Sequence, residues 1–303
     1  GINLIIAMGG GSVIDCSKAI AAQANYYGDV WQDLYVEQKL NTLTSALPVA
    51  SILTLAATGS EMNGNSVISN MHTNQKLAIG HDLLRPVFSI LDPEYTFTVN
   101  QYHTAAGVVD ILSHLFEQYF TPDQEGYLQN RLMEAMMKTV IEYGPIAYNE
   151  LDDYEARANL MWTSSLALNG MVTYGKVSTD WATHGMEHEL SAFYDITHGV
   201  GLGILTPYWM KYVLSEENVH RFVEYGKNVW NLDGENNMEI ANKAINKTRE
   251  FFSSLGIPST LKEVGIDESK LDKMAEQATM FGALGSMKKL YKEDVLAIYK
   301  MAL

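Results

Sequence analysis

The opening segment, GINLIIAMGGGSVIDCSKAIAA, constrains the fold of this chain more than any other stretch. Ile2 to Met8 is a short apolar run without polar alternation, which predicts a parallel strand covered on both faces. Gly9, Gly10 and Gly11 break it, and Val13 to Ala22 carries helical periodicity. Ser12 is placed to cap that helix, with Asp15 in its first turn. Glycines after a buried strand either form an ordinary tight turn or let backbone N–H groups approach a pyrophosphate at the helix N-terminus. A chain that starts directly on a core strand is expected to begin inside a domain.

A second buried strand is expected from Pro48 to Leu55, followed by AATGSEMNGNS. Val67–Ser69 and Lys76–Gly80 flank the polar MHTNQ segment and predict a hairpin, and Val87–Leu91 a further short strand. The hydroxyl- and glycine-rich strand ends, Gly9–Ser12 and Thr54–Ser60, converge at the carboxyl edge of a parallel sheet, where such sheets bind ligands. Lys76 either reaches a phosphate or ribose there or is a plain exposed hairpin lysine. From about residue 100 helical periodicity takes over. Helices are expected at 102–119, 125–143, 152–169, 181–193, 199–213, 218–229, 237–255, 268–281 and 292–300, with Pro207 kinking or interrupting its helix. The expected organisation is an α/β part, residues 1–98, and an all-helical part, residues 99–303. A crevice between them is the default ligand site.

The helical part carries GVVDILSHLFEQ and DWATHGMEHELSAFYDITHG. Asp110 and His114 stand four residues apart, as do His184 and His188, so each pair shares a helix face; His198 follows a short turn. A carboxylate and several imidazoles suffice for one divalent metal with a position left open. The alternative is a set of core-satisfied histidines. The flanking Ala182, Met186, Leu190 and Phe193 indicate burial, and a buried imidazole needs a partner.

A net charge of −15 argues against nucleic acid or an anionic membrane as partner, since both demand a basic face. No segment has the length and apolarity of a membrane span, and the first residues lack the basic flank and cleavage site of a signal peptide. The single cysteine excludes an internal disulfide and fits a reducing compartment; DCSKAIAA predicts that Cys16 is a buried structural residue.

GGGSVIDCSKAIA, TLAATGSE, AAGVVDILSHLFEQ and HGMEHELSAFYDITHGVGLGILTP, in this order, resemble the iron-containing (group III) alcohol dehydrogenase family over nearly the whole chain. VISN, LDPEYTFT, LNGMV and DWATHGMEHELSA most resemble its NADPH-dependent butanol dehydrogenase and aldehyde reductase branch. The resemblance implies a Rossmann-like nucleotide-binding part, truncated here, joined to an all-α domain. It implies metal ligands at Asp110, His114, His184 and His198, for one Fe2+ or Zn2+. It implies cofactor contacts at Gly9, Gly10, Gly11, Ser12, Asp15, Thr54, Thr58, Val67 and Lys76, for NADP(H), with NAD(H) the alternative. Asn63 replaces a threonine frequent in the family. Relatives carry a further N-terminal segment that discriminates NADP from NAD; without it the chain is expected to be unstable or inactive.

The implied reaction is hydride transfer between a nicotinamide coenzyme and a short-chain primary alcohol or aldehyde. His188 is a candidate proton shuttle or a support for a neighbouring ligand. Competing readings are a lyase or synthase of the dehydroquinate synthase type, a metal-dependent hydrolase, and a non-enzymic binding module. The first needs basic residues for an anionic substrate, and Asp180 to Met210 contains none, which favours a neutral, apolar substrate. A homodimer of the full-length protein in the cytoplasm is expected.

Overall fold

The computed structural model describes residues 1–122 and 126–303. Strand β1 (Ile5–Gly9) leads through the glycine turn into helix α1 (Gly11–Gln23). Strand β2 (Val49–Leu53) follows, then an antiparallel hairpin of β3 (Asn65–Asn70) and β4 (Gln75–Gly80), then β5 (Phe88–Ile90). β1, β2 and β5 form a parallel sheet with β2 in the middle. The expected strands and hairpin are therefore present, each shifted by a few residues.

On one face of the sheet Ala7, Val49 and Leu53 pack with Ile14 and Ala21 of α1. On the opposite face Ile6, Met8, Phe88 and Ile90 stand exposed in matching register. Three expectations about this region need correction. Cys16 is exposed, since the buried stripe of α1 runs through Ile14, Asp15, Lys18, Ala21 and Ala22 and leaves residue 16 outside it. Ser12 lies within α1; Gly10 occupies the cap position and no side chain caps it. Asp15 falls beyond the first turn, where it is buried.

The helical part comprises α2 (Gln101–Tyr119), α3 (Tyr127–Asn149), α4 (Tyr154–Ala167), α5 (Ala182–Tyr194), α6 (His198–Val213), α7 (Val219–Trp230), α8 (Asn237–Ser254), α9 (Leu271–Ala278) and α10 (Lys292–Met301). The expected start of the third helix at Glu125 lies outside the described residues. The segment expected as 268–281 is a 3-10 turn, Glu268–Lys270, followed by the shorter α9. Pro207 does not interrupt α6; nearly every residue from Gly199 to Met210 is buried, and packing holds the helix through it. No helix among the described residues is long and apolar enough to cross a membrane.

Helix α2 is the axis of this part, buried on every side from Thr104 to Tyr119. A helix apolar all round would be inert core, but α2 carries Asp110, His114 and Glu117 at spacings of four and three, which form one polar stripe. Its far end is locked by aromatic packing, with Phe120 against Phe222 at 4.7 Å and against Tyr225 at 5.3 Å. A rigid, fully packed helix thus presents the polar stripe to α5 and α6.

Candidate active site

Asp110, His114, His184 and His198 meet at one point. The Nε2 atoms of His114 and His198 lie 3.7 Å from Oδ1 of Asp110, and that of His184 lies 3.8 Å away. These are too long for hydrogen bonds. Oδ1 of Asp110 and Nε2 of His184 are buried without a hydrogen-bond partner. Orphaned buried polar atoms are rare and call for an explanation. A carboxylate oxygen ringed by three imidazole nitrogens at this spacing fits a divalent cation held between them.

Close approach of α6 to α2 makes the meeting point. A Cβ on Gly199 would stand 2.0 Å from the carbonyl oxygen of Ala106, so only glycine lets α6 start there, with His198 as its first residue. Asp195, at φ 53°, ends α5 and turns the chain into α6. At the other end of α5, Trp181 holds φ 65°, a strained conformation for a bulky residue. Its ring lies 5.3 Å from that of His184 and forms part of the cavity wall.

Two buried glutamates stand behind the imidazoles. Oε1 of Glu117 accepts from the backbone N–H of His184 at 2.9 Å, lies 3.1 Å from its Nδ1, and also accepts from Thr183. Glu187 contacts Nδ1 of His198 and accepts from Ser191 at 2.5 Å. Holding Nδ1 turns each Nε2 towards Asp110. Burial alone would raise Asp110, but the neighbouring imidazoles reverse this and hold its carboxyl below the usual carboxylate range. Burial pulls His114 down to about 4, against the pull of Asp110. Burial would also lower His184, yet Asp110 and Glu117 lift it to about 9. The buried carboxylates of Asp110 and Glu117 thus favour a positive charge at the centre.

The cluster opens on a cavity of about 520 Å³ whose opposite wall includes Gly11, Ser12, Asp15, Thr58, Val67 and Lys76. Gly9, Gly10 and Thr54 are not part of this wall; Thr54 donates to Gly9 within the sheet at 3.1 Å. Gly11 sits under Thr58, where an added Cβ would come within 2.4 Å of the hydroxyl. Both carboxylate oxygens of Asp15 are taken, one by Ser60 and the other by the Val67 amide at 2.9 Å. Asp15 therefore shapes the loop from the cavity wall. Asn63 likewise donates to Gly59 at 2.8 Å and accepts from Asn65 at 2.9 Å. Lys76 is turned to the histidines, with Nζ 3.2 Å from Nδ1 of His198.

His188 lines the cavity, its ring 5.7 Å from that of His198. Burial, then Lys76, His198 and His184, hold it well below the ordinary histidine value, so it is neutral at physiological pH. Sequence reasoning missed Glu117, Glu187, Ser191 and Trp181. The glutamates had a readable signal, since each follows a cluster histidine by three residues and so lies near its helix face. The cavity also adjoins a polar bay lined by Arg85 and Lys176, so cations reach this region from outside the segment 180–210.

Family models describing the iron-containing alcohol dehydrogenases match residues 1–93, and their C-terminal part matches residues 104–303. NADH-dependent butanol dehydrogenase A of Clostridium acetobutylicum is 56% identical over 302 residues, which span 99% of this chain and 77% of that protein. The NADPH-dependent aldehyde reductase YqhD of Escherichia coli is 38% identical over 93% of this chain and 72% of its own length. The crystal structure of NADH-dependent butanol dehydrogenase A of Thermotoga maritima superposes with a TM-score of 0.93 at 37% identity, covering 99% of this chain and 76% of that one. Sequence likeness and structural likeness thus agree along both parts of the molecule, and the chain belongs to the iron-containing alcohol dehydrogenase family.

Proposed function

We propose that this chain transfers hydride reversibly between a nicotinamide coenzyme and a short-chain primary alcohol or aldehyde, at a divalent cation held by Asp110, His114, His184 and His198. In this reading residues 1–98 hold the coenzyme and residues 99–303 the cation. One observation carries it: three Nε2 atoms stand 3.7–3.8 Å from an unpartnered Asp110 oxygen, on the wall of the cavity that also exposes Gly11, Ser12 and Thr58. The relatives are named as dehydrogenases and reductases, which speaks against the lyase and hydrolase readings.

When bound, the cation supplies Lewis acidity to the substrate oxygen and the coenzyme gives or takes the hydride. The chain supplies the rest. Glu117 and Glu187 fix the orientation of His184 and His198. Trp181 and Leu168 give the cavity wall apolar surface. Alcohol oxidation releases a proton with each hydride, and His188, the cavity-lining imidazole beside His198, is the residue we assign to relay it. The alternative is that His188 supports the neighbouring ligand His198, whose ring lies 5.7 Å from its own.

Fe2+ and Zn2+ both suit one carboxylate and three imidazoles. The stronger likeness is to a relative named for NADH, so NADH stands beside NADPH as the coenzyme to assay. The test is oxidation of each coenzyme with butanal, before and after metal stripping and with Fe2+ or Zn2+ restored. Turnover that vanishes and returns with the metal supports the reading. Undiminished turnover by the stripped protein refutes the cation's role.

A further inference from the structure

Beside Trp181 the cavity adjoins the polar bay, a hollow of about 460 Å³. Asn63, Asn65, Leu168 and Trp181 belong to the walls of both. The bay lies on the cation side. Gln118 lines it and donates to the His114 carbonyl oxygen at 2.6 Å. Gly11, Ser12, Thr58 and Lys76, which line the cavity on the coenzyme side, are not part of the bay. The Trp181 ring lies 5.3 Å from that of His184 and 6.3 Å from that of His114, and its indole N–H is fixed on Thr179 at 2.7 Å. A substrate with its oxygen at the cation therefore carries the far end of its chain past this ring.

The bay differs in charge from the rest of the molecule. The chain carries a net charge of −15, yet Arg85 and Lys176 line the bay and, among the described residues, no Asp or Glu does. Lys176 donates from Nζ to Oδ1 of Asn130, a buried residue of α3, at 3.1 Å, which holds the ammonium in place. Arg85 donates from Nη1 to the Met62 carbonyl oxygen and forms no ion pair among the described residues. That contact leaves the guanidinium charge uncompensated and most of its N–H donors unused. A guanidinium in this state takes a carboxylate through two parallel hydrogen bonds. In an acidic molecule such a bay concentrates anions that the surrounding field repels.

Resting on the reaction proposed above, we infer that the bay is a subsite for a carboxylate at the far end of the substrate. The chain then reduces ω-oxo acids, aldehydes that end in a carboxylate, in preference to neutral aldehydes of the same length. Arg85 receives the carboxylate, Lys176 adds to the local field, and Trp181 bounds the path of the carbon chain between bay and cation. The aldehyde end reacts as any other: hydride from the reduced coenzyme and one proton add across the carbonyl, and an ω-hydroxy acid leaves. Arg85 and Lys176 set specificity and take no part in the hydride step.

The test compares reduction of glutaric semialdehyde with that of pentanal, its neutral counterpart of equal length, by the metal-loaded protein at saturating coenzyme. The readout is the ratio of the two kcat/KM values, which cancels any general effect of a variant on coenzyme or cation binding. Wild type should favour the semialdehyde, and the preference should shrink as salt is added. Arg85→Gln should cut the ratio by about three- to fivefold, the scale of an exposed ion pair, mainly through a higher KM for the semialdehyde. Arg85→Lys should restore part of the loss. Adding Lys176→Gln to Arg85→Gln should lower the ratio further. An unchanged ratio in Arg85→Gln overturns the subsite, as does a wild type that prefers pentanal. A raised KM for NADH or NADPH in Arg85→Gln, with the aldehyde ratio unmoved, gives the arginine to a coenzyme phosphate and overturns it too. Loss of turnover with both aldehydes in metal-loaded wild type removes the reaction itself, a failure recognisable from pentanal alone.

Discussion

Nε2 of His198, the first residue of α6, lies 3.7 Å from Oδ1 of Asp110, in the middle of α2. Neither atom can hydrogen-bond the other at that distance, and Oδ1 has no other hydrogen-bond partner. Asp110→Asn keeps the size and removes the one negative charge among the four groups. Zn2+ affinity should fall by at least about 100-fold, the upper end of what groups behind a ligand contribute. Added Zn2+ should raise the melting temperature of stripped wild type by mass action and leave that of Asp110→Asn unmoved. An unchanged Zn2+-induced shift in the variant would remove Asp110 from the ligand set.

Gly199 tests how finely that geometry depends on helix approach. A Cβ there meets the Ala106 carbonyl oxygen at 2.0 Å and its Cα at 2.9 Å, and both are backbone atoms that cannot swing aside. Gly199→Ala should force α6 away from α2, destabilising the fold by about 1–3 kcal/mol in urea denaturation. It should also weaken Zn2+ binding, because His198 moves with the helix start. Full stability together with wild-type Zn2+ affinity would show that the helices adjust without displacing the ligand.

Periodicity alone located the strands, the hairpin and the helices, because apolar spacing is a local property of the sequence. The Asp110–His114 and His184–His188 pairs were readable for the same reason, as each lies on one helix. How α6 brings His198 to these pairs was not readable from spacing: it depends on Gly199 admitting α6 to the backbone of α2, a contact across 93 residues. Cys16 was misread because apolar flanks report composition, not which face a neighbour covers. The strand end Gly9–Ser12 was recognised, but which residues reach the cavity depended on the path of the loop after Thr58. Asp15 is the clearest case. Its carboxylate is spent on Ser60 and Val67, a tertiary contact that no spacing rule predicts.

Lys18 holds that loop in place. Its side chain is fully buried, and Nζ donates to the carbonyl oxygens of Ser60 at 2.7 Å, Asn63 at 3.0 Å and Asn65 at 2.6 Å. Burial lowers its pKa to about 8, against the pull of Asp15 and Glu61. Lys18→Met fills similar space but leaves three carbonyls without their donor, each costing about 1 kcal/mol or more. The variant should lose about 3 kcal/mol of stability. Because Ser60 and Asn63 line the cavity, its KM for coenzyme should rise more than its kcat falls. A kcat loss at unchanged KM would place the effect on the chemistry and contradict the loop-anchoring role.

Glu189 gives the fold a pH dependence of definite sign. It is 4% exposed on α5, and Oε2 has no hydrogen-bond partner. Burial first, and the charge of Glu187 second, push its carboxyl from 4.5 up to about 8. Between those values the unfolded chain has released this proton while the folded chain keeps it. Raising the pH through that window therefore favours unfolding, and above about 8 the penalty is fully present. Each unit of separation is worth about 1.4 kcal/mol, so the total is on the order of a few kcal/mol. Glu189→Gln cannot ionise and escapes the penalty. With both proteins stripped of metal, to keep histidine ligation out of the comparison, the variant should melt close to wild type at pH 5 and several degrees above it at pH 9. A gap of the same size at both pH values would mean that Glu189 is ionised inside the fold, held by a partner stronger than its surroundings provide.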